Sequence, residues 1–323
     1  MILILTSKGY EQGTTPVINW LIYKKAMFFI LNYEDIFTKK VSYKIDIENQ
    51  DILINNISVK DNVKVIWYRR FYLSKSLFKN KGDKLLEQLH REALSELETL
   101  LNYLKSFFKN KLQVPRESLI GENKLIYLNL AKQAGISCPS TIVTNNKKDL
   151  LNFYLGCEKK MISKPIYFSK YFCIEDITYT VQTTQYDDQM ISKIPDYFFP
   201  TLFQQAIDSI FEIRVFYLDK HFFSTAAIYS SHDGNIDLKL NYRAKHLHWV
   251  PYELPKAIRQ KLIYFMDLND LTTGSIDLLR TDNDFIFLEV NPVGQYLAPS
   301  EFSNYYVDYE ISKYLIQNSY AEK

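Results

Sequence analysis

The sequence predicts a mixed α/β (α+β) protein made of more than one compact unit. In the first third of the chain, short apolar strand-like runs alternate with amphipathic helical segments, which is typical of an α/β domain. Further along, strand-like runs are joined by short polar turns, as at Asp219-Lys220, and this pattern predicts antiparallel sheet. A chain of 323 residues is long enough for two or three subdomains.

The first predicted domain covers residues 1–111. It opens with the strand "ILIL", continues with the helical stretch "TTPVINWLIYKKA" and reaches a second strand in "KVIWYRRF", from Val65 to Phe71. The clearest helix follows in "KLLEQLHREALSELETLLNYLKSFF". Its apolar residues fall on one helical face: Leu85, Leu86, Leu89, Ala93, Leu97, Leu100 and Leu101.

The second predicted domain covers residues 112–200 and the third covers 201–323. In the second, "GENKLIYLNLAKQAG" predicts a helix that ends at Gly135, and the strands "ISCPSTIVTN" and "KKMISKPI" follow. "FCIED" and "ITYTVQTTQY" predict an antiparallel pair. The third begins at "TLFQQAI" and contains the hairpin at Asp219-Lys220, the amphipathic helix "YELPKAIRQKLIYFMDLN", a second hairpin and a last helix.

Composition argues against several classes of protein. The formal net charge of +2 is too small to indicate a nucleic-acid partner, and no apolar run reaches membrane-spanning length. The three cysteines form no CxxC pair and the N-terminus lacks the features of a signal peptide. The prediction is a cytoplasmic protein with no nucleic acid or membrane partner. There are only 9 glycines, with no Walker A motif and no GxGxxG.

Polar side chains interrupt an apolar strand in "GSIDLLRTDNDFIFLEVNP". If the turn is centred on Asn283, with Thr281–Asp284 as its loop, Asp277 lies directly opposite Glu289. Asn291 then shares their face, because side chains two residues apart on a strand point the same way. The same register predicts that four apolar residues point to the core: Ile276, Leu278, Leu288 and Val290.

Two adjacent carboxylates repel each other unless a cation or a proton lies between them. Asp277, Glu289 and Asn291 supply hard oxygen ligands with no His or Cys beside them, which suits Mg²⁺. Because Mg²⁺ usually retains water and takes phosphate oxygens, the predicted ligand is a metal–nucleotide complex. The alternative is a strand end whose carboxylate caps a neighbouring loop.

These residues resemble the magnesium-binding strands of the ATP-grasp fold. The order of "VPRESLIGENKLIYLNLAKQAGISCPSTIVTN", "SKPI", "FQQAI", "EIRVFYLDKHFFSTAAI" and "LEVNPVGQY" is similar to the peptide-modifying ATP-grasp ligases, the graspetide (microviridin-type) maturases. The grasp-with-SPASM subgroup is the most similar. The resemblance implies an ATP-grasp fold with an N-terminal α/β pre-ATP-grasp domain, a central domain and a C-terminal antiparallel-sheet domain.

The resemblance also assigns residues to nucleotide binding. Lys124 and Lys164 match the two lysines that reach the nucleotide phosphates, a role that suits a mobile point charge. "FQQAI" matches the strand along the adenine, which implicates Gln204, Gln205 and Ile207, with backbone groups of the last two at the base edge. Asp208 either reaches the ribose or is a solvated loop acid.

Further residues match the chamber in which the phosphate and the acceptor carboxylate meet. Glu212 and Arg214 share a strand face, where the guanidinium could neutralise an acyl phosphate, or the two could form a structural ion pair. In "NIDLKLNYR", Lys239 stands where relatives often carry arginine. Arg243 is the alternative for that role, because lysine lacks bidentate carboxylate recognition.

The resemblance implies an enzyme that uses ATP and Mg²⁺ to activate Asp or Glu side chains of a ribosomal precursor peptide. Thr or Ser hydroxyls, or Lys amines, of the same peptide then form ester or amide crosslinks. The implied partners are a precursor peptide with a leader, a radical-SAM/SPASM protein encoded nearby and a second copy of the chain. The alternatives are a ligase that adds an amino acid to a peptide or protein, and a nucleotide-binding protein without turnover.

Overall fold

The computed structural model describes residues 1–7, 11–36, 38, 40–71, 84–116, 123–167, 171–174, 177–229 and 247–320. The chain divides into two compact units. The first combines Met1–Ser118 with Tyr306–Lys323, and the second is Leu119–Tyr305. The predicted division of the chain at residues 111 and 200 remains a prediction.

The described residues form helices and strands in the following order. The helices are α1 (Thr14–Tyr23), α2 (Val59–Asn62), α3 (Lys84–Phe108), α4 (Lys124–Gln133), α5 (Lys147–Gly156), α6 (Asp188–Lys193), α7 (Lys256–Leu268), α8 (Leu297–Ser303) and α9 (Val307–Tyr320), with a 3-10 helix at Tyr33–Ile36. The strands are β1 (Ile2–Thr6), β2 (Phe28–Asn32), β3 (Tyr43–Asp46), β4 (Asp51–Ile54), β5 (Ile57–Ser58), β6 (Val65–Tyr68), β7 (Leu112–Val114), β8 (Thr141–Asn146), β9 (Met161–Ser163), β10 (Tyr171–Ile174), β11 (Ile177–Thr180), β12 (Thr184–Tyr186), β13 (Tyr197–Gln205), β14 (Phe211–Leu218), β15 (His221–Tyr229), β16 (Leu247–Pro251), β17 (Thr273–Arg280) and β18 (Phe285–Asn291).

The first unit is built on a parallel sheet in the order β2-β1-β6-β7. The two predicted strands are neighbours in it, with Ile2 opposite Val65. Helix α9 returns to pack on α1, where the Trp20 indole N–H donates a hydrogen bond of 2.7 Å to Asp308 Oδ2. The Tyr309 ring lies 5.0 Å from the same indole. Residues from the two ends of the chain therefore share one unit.

Helix α3 forms over the predicted residues, but most of its apolar face is not buried. Leu104 and Phe108 near its C-terminal end are each 2% exposed. Toward the N-terminal end, Leu85 is 64% exposed and Leu89 is 54% exposed. The apolar periodicity of this segment predicts the helix correctly, but packing inside the unit uses only the end of that face.

The second unit contains three sheets among its described residues. Their strand orders are β12-β9-β13-β8, β10-β11 and β16-β15-β14-β17-β18, and all of the pairings are antiparallel. The two predicted hairpins that lie in the described residues are confirmed. The turn at Asp219-Lys220 has positive φ at both residues, 45° and 69°, as a two-residue hairpin turn requires.

Helices α4 and α7 cover one face of the five-stranded sheet. Helix α7 places Ile258, Leu262 and Phe265 against the sheet at helical spacing, and all three are buried. The alternate residues Ile213, Val215 and Tyr217 of β14 meet them. Since strand side chains alternate between faces, the residues between these point to the other side of the sheet.

A tight turn follows β18. The Val293 N–H donates to Asn291 Oδ1 at 3.2 Å, and the Gly294 N–H donates to the Asn291 carbonyl at 3.0 Å. Gly294 has φ +72°, and a Cβ there would lie 2.7 Å from the Phe216 ring. Both the backbone conformation and the space therefore require glycine.

Among the described helices, none combines the length and apolarity needed to cross a membrane.

We expect Gly294→Ala to destabilise the protein by about 2–4 kcal/mol, because it adds left-handed strain and a collision with Phe216. Chemical unfolding monitored by circular dichroism measures the change. Gly156→Ala is the matched control, since no heavy atom lies within 4 Å of a Cβ at that position. That control should stay within about 1 kcal/mol of the parent protein. Equal unfolding midpoints for the two variants would contradict the assignment.

Candidate functional site

The β17–β18 hairpin places two acidic side chains opposite each other. Asp277 pairs with Glu289, as the sequence predicts, and the next pairs are Ile276 with Val290 and Ser275 with Asn291. Asp277 is 6% exposed and Glu289 is half-buried. Ile276 and Val290 point into the core, so the two carboxylates lie on the opposite face of the sheet.

A β-bulge produces this pairing. The predicted loop Thr281–Asp284 is confirmed, and Arg280 pairs with Phe285 across it. An uninterrupted ladder from that pair would bring Asp277 opposite Leu288 rather than Glu289. The register shifts between Asp277 and Leu278, which leaves Leu288 as the extra residue.

The bulge corrects one prediction. The sequence predicts that Leu288 points to the core with Ile276, Leu278 and Val290, but it is only half-buried. Phe287 takes the core position and is 0% exposed. The extra residue reverses the alternation of side chains at that point of the strand.

Strand β14 brings an arginine to Asp277 from the other side. Arg214 pairs with Asp277 across the β14–β17 ladder. Its Nη1 lies 2.6 Å from Asp277 Oδ2, and its Nη2 lies 2.8 Å from Glu212 Oε1. The side chains are 12%, 8% and 16% exposed for Arg214, Asp277 and Glu212. Of the two interpretations of Glu212 and Arg214, the ion pair is present in the structure.

A lysine reaches Glu289 from helix α4. Lys124 is the first residue of this helix, which begins where the Asn123 side chain accepts a hydrogen bond from the Leu125 N–H at 2.9 Å. Lys124 Nζ lies 3.1 Å from Glu289 Oε2, and the two side chains are 17% and 18% exposed. The predicted phosphate-binding lysine and the predicted magnesium ligand are therefore neighbours.

We call the five side chains Glu212, Arg214, Asp277, Glu289 and Lys124 the charged cluster. They carry three negative and two positive formal charges, and each contacts at least one other member. Most charged side chains are exposed in proteins, so a half-buried group of this density is costly unless its charges are matched.

Two members of the charged cluster and the neighbouring Asn291 form a set of oxygen donors that fits Mg²⁺. Asp277 and Glu289 offer carboxylate oxygens from directly opposed positions, and Asn291 lies two residues beyond Glu289 on the same face. No group of three or more His, Cys, Asp or Glu side chains in the described ranges is arranged to hold a metal ion. Two carboxylates and an amide would leave coordination positions for phosphate oxygens and water, which is how Mg²⁺ is usually held.

Asn291 has a second role in the structure. Its Oδ1 accepts the Val293 N–H, so the amide oxygen is oriented by the turn after β18. A carbonyl oxygen has two lone pairs, and one remains for another interaction. Across the ladder, the Ser275 hydroxyl donates to the Gln295 carbonyl at 2.6 Å. Sequence reasoning missed Ser275, although its position two residues before Asp277 places it on the same face.

The residues assigned to adenine lie on a different sheet. Gln204 is 0% exposed and its Nε2 donates to Thr141 Oγ1 at 2.9 Å. The Gln205 N–H donates to the Ser140 carbonyl at 2.9 Å, and the Ala206 N–H donates to the Lys160 carbonyl at 2.9 Å. The N–H of Gln205 is therefore used within the protein, while Ile207 follows β13 as a half-buried residue. The adenine assignment stays a prediction.

Lys164 and Asp208 flank the same sheet. Lys164 is half-buried and follows Ser163, the last residue of β9. It therefore lies just beyond this strand, although the predicted strand "KKMISKPI" includes it. Asp208 is exposed, and its Oδ2 lies 2.5 Å from Lys160 Nζ. The hydrogen bond to Asp208 raises the pKa of Lys160. This contact shows Asp208 as a surface ion-pair partner, and its assignment to a ribose remains a prediction.

Lys239 and Arg243, the two residues assigned to the acceptor carboxylate, lie outside the described residues.

No protein-family model and no curated protein sequence matches the chain. Solved structures do match it in fold. Macrocyclase MdnC bound with precursor peptide MdnA from Microcystis aeruginosa MRC is 20% identical, with a TM-score of 0.80 over 98% of this chain and 99% of that chain. The Chryseobacterium gregarium RiPP-associated ATP-grasp ligase, in complex with ADP and a leader and core peptide, is 20% identical. Its TM-score is 0.82 over 98% of this chain and 95% of that chain.

A third solved structure is that of the ATP-grasp ligase PsnB complexed with minimal precursor, Mg and ADP. It is 16% identical, with a TM-score of 0.75 over 98% of this chain and 97% of that chain. The likeness covers nearly the whole of each protein, so it concerns the complete fold rather than one subdomain. The chain therefore has the fold of the RiPP-associated ATP-grasp ligases, as the sequence predicts.

Proposed function

We propose that the chain is an ATP-dependent ligase that matures a ribosomal precursor peptide. The observation that carries the proposal is the charged cluster, with Lys124 3.1 Å from Glu289 and Asp277 opposite Glu289. A metal–nucleotide complex needs carboxylates for the metal and a cation for the phosphates at adjacent positions. The similarity of the fold to a macrocyclase bound with its precursor peptide, and to ATP-grasp ligases complexed with peptide and ADP, supports the same function.

The proposed reaction begins at a side-chain carboxylate of the peptide. The carboxylate oxygen attacks the γ-phosphorus of ATP, and ADP leaves as an acyl phosphate forms. A Thr or Ser hydroxyl, or a Lys amine, of the same peptide then attacks the acyl carbon. Phosphate leaves and the nucleophile loses its proton, so each crosslink releases the equivalent of one water from the peptide.

The chain's own residues would act by position and charge. Asp277, Glu289 and Asn291 would hold Mg²⁺, which supplies charge neutralisation for the phosphate oxygens when it is bound. Lys124 and Lys164 would bind phosphates, and Arg214 would stabilise the negative charge of the acyl phosphate. Glu212 holds Arg214 at 2.8 Å and so orients its guanidinium. Gln205, Ile207 and Asp208 would line the nucleoside, and the fully buried Gln204 would support them from within the sheet.

Two details remain part of the proposal. Lys239 or Arg243 would hold the acceptor carboxylate, and the crosslink would be either an ester or an amide. The homodimer, the radical-SAM/SPASM partner and the grasp-with-SPASM subgroup are predictions from the sequence resemblance.

The decisive experiment incubates the purified chain with ATP, Mg²⁺ and synthetic peptides encoded by short reading frames beside its gene. Peptides with both Thr or Ser and Asp or Glu should lose the mass of one water per crosslink while ADP is released. Mild hydroxide then separates esters, which hydrolyse, from amides, which persist. Addition of an amino acid to the peptide would support the alternative ligase. Nucleotide binding without peptide-dependent ADP release would overturn the proposal.

Glu289→Gln should lower peptide-dependent ADP release by about 100-fold or more, because it removes a negatively charged ligand from the proposed metal site. A coupled assay for ADP measures the rate. Glu253→Gln is the matched control, since Glu253 is 85% exposed and 3.6 Å from Arg259. The control should retain the parent rate. An unchanged rate in Glu289→Gln, with the fold intact, would remove Glu289 from the metal site.

Lys124→Met should raise the dissociation constant for ATP by about tenfold or more, because one phosphate contact is lost. Calorimetric titration of the purified chain with ATP and Mg²⁺ measures it. Lys132→Met, in the same helix α4 but exposed, serves as the control and should bind ATP like the parent. If both variants bind ATP equally well, Lys124 serves only its ion pair with Glu289.

A further inference from the structure

Two of the proposed metal ligands are each paired with a cation of the protein itself. Lys124 Nζ lies 3.1 Å from Glu289 Oε2, and Arg214 Nη1 lies 2.6 Å from Asp277 Oδ2. A magnesium ion lies about 2.1 Å from an oxygen that it binds, so an ion on Glu289 Oε2 would lie within about 5 Å of the lysine ammonium. Two cations this close to each other beside one half-buried carboxylate repel. The ion pair and the metal therefore compete for Glu289.

The two cations differ in how firmly the structure holds them. Arg214 contacts two carboxylates, Asp277 at 2.6 Å and Glu212 at 2.8 Å, and its strand β14 is paired on both sides, with β15 and β17. Lys124 is the first residue of helix α4, and a lysine ammonium is a mobile point charge on a flexible stem. Of the two cations, the lysine is therefore the one that can exchange its carboxylate for another anion.

The formal charge of the charged cluster favours the same exchange. With both cations in place, its three carboxylates and two cations carry a net charge of −1. If the Lys124 ammonium moved to a phosphate, three carboxylates and one cation would remain, with a net charge of −2 that a divalent ion neutralises. Charges that are half-buried are stabilised when they are matched, so the cluster favours the metal after the lysine has moved.

We propose that Lys124 couples metal binding to nucleotide binding: its ammonium competes with a divalent ion for Glu289 until nucleotide phosphates draw it away. This inference rests on the proposed function, because it takes Glu289 as a metal ligand and Lys124 as a phosphate contact. It adds that the same lysine opposes the metal without phosphate and admits it with phosphate. Since coupling between two bound ligands is reciprocal, the metal in turn strengthens nucleotide binding at this site.

Competition predicts a change of opposite sign from the two simpler roles of Lys124. If the lysine only bound phosphate, replacing it would leave the affinity for a metal alone unchanged. If it only held Glu289 in position, replacing it would weaken metal binding, because the carboxylate would lose its orientation. If it competes with the metal, its replacement strengthens the binding of a metal alone, although it weakens the binding of ATP.

The experiment titrates the purified chain with Mn²⁺ alone, a paramagnetic substitute for Mg²⁺ at oxygen ligands, and follows the free ion by electron paramagnetic resonance. Lys124→Met should bind Mn²⁺ at least about tenfold more tightly than the parent chain, since no ammonium competes for Glu289. Lys132→Met, at an exposed position of the same helix, is the matched control and should bind like the parent. Lys124→Arg retains the positive charge and should show no gain, which separates lost charge from a loosened site.

Two further variants complete the test. Lys124→Gln, which is also neutral, should show the same gain and replaces Lys124→Met if the latter folds poorly by circular dichroism. Adding Glu289→Gln to Lys124→Met should abolish the gain, because the gained ion is held by that carboxylate.

Two results overturn the inference: the neutral variants bind Mn²⁺ no more tightly than the parent, whether or not the parent binds it, or the gain survives Glu289→Gln. If the gain is missing while Glu289→Gln still lowers peptide-dependent ADP release, the competition alone is wrong and the proposed function stands. If Glu289→Gln leaves that release unchanged, the proposed metal site itself is wrong.

Discussion

The ion pairs that join Arg214 to Asp277 and Lys124 to Glu289 set the arrangement of the candidate site. Without cations beside them, two opposed carboxylates of this burial would repel each other and resist removal from water. Removing one partner from a buried pair typically costs about 3–5 kcal/mol, so these contacts constrain the surrounding strands as well as the charges. The hairpin, strand β14 and helix α4 are thus connected through one group of side chains.

The same connection explains how an antiparallel sheet can carry polar side chains on one face and an apolar core on the other. Ile213, Ile276 and Val290 hold the sheet to α4 and α7, while the residues between them project to the charged side. The core therefore fixes the positions of side chains that do not belong to it. Rigid strands suit groups that must meet a ligand within a fraction of an ångström.

Much of the architecture could be predicted from the sequence, because local patterns determine it. The periodicity of "KLLEQLHREALSELETLLNYLKSFF" predicts α3, and the four-residue loop Thr281–Asp284 predicts the hairpin.

The ion-pair partners of Asp277 and Glu289 could not be predicted in the same way. Arg214 Nη1 lies 2.6 Å from Asp277 and Lys124 Nζ 3.1 Å from Glu289, although 63 and 165 residues separate them in the chain. The exposure of the α3 leucines depends on which neighbours the folded unit supplies, which helical spacing does not reveal.

The bulge at Leu288 shifts the pairing register between β17 and β18 by one residue. Between the turn and the bulge, β18 follows the register set by the turn. Beyond the bulge, each residue points to the face opposite to the one that an uninterrupted ladder would give it. If the register set by the turn ran on without the bulge, Ile276 would pair with Glu289, and the carboxylate would point toward the apolar core. Glu289 thus lies at the site because β18 accommodates one residue more than the strand that faces it.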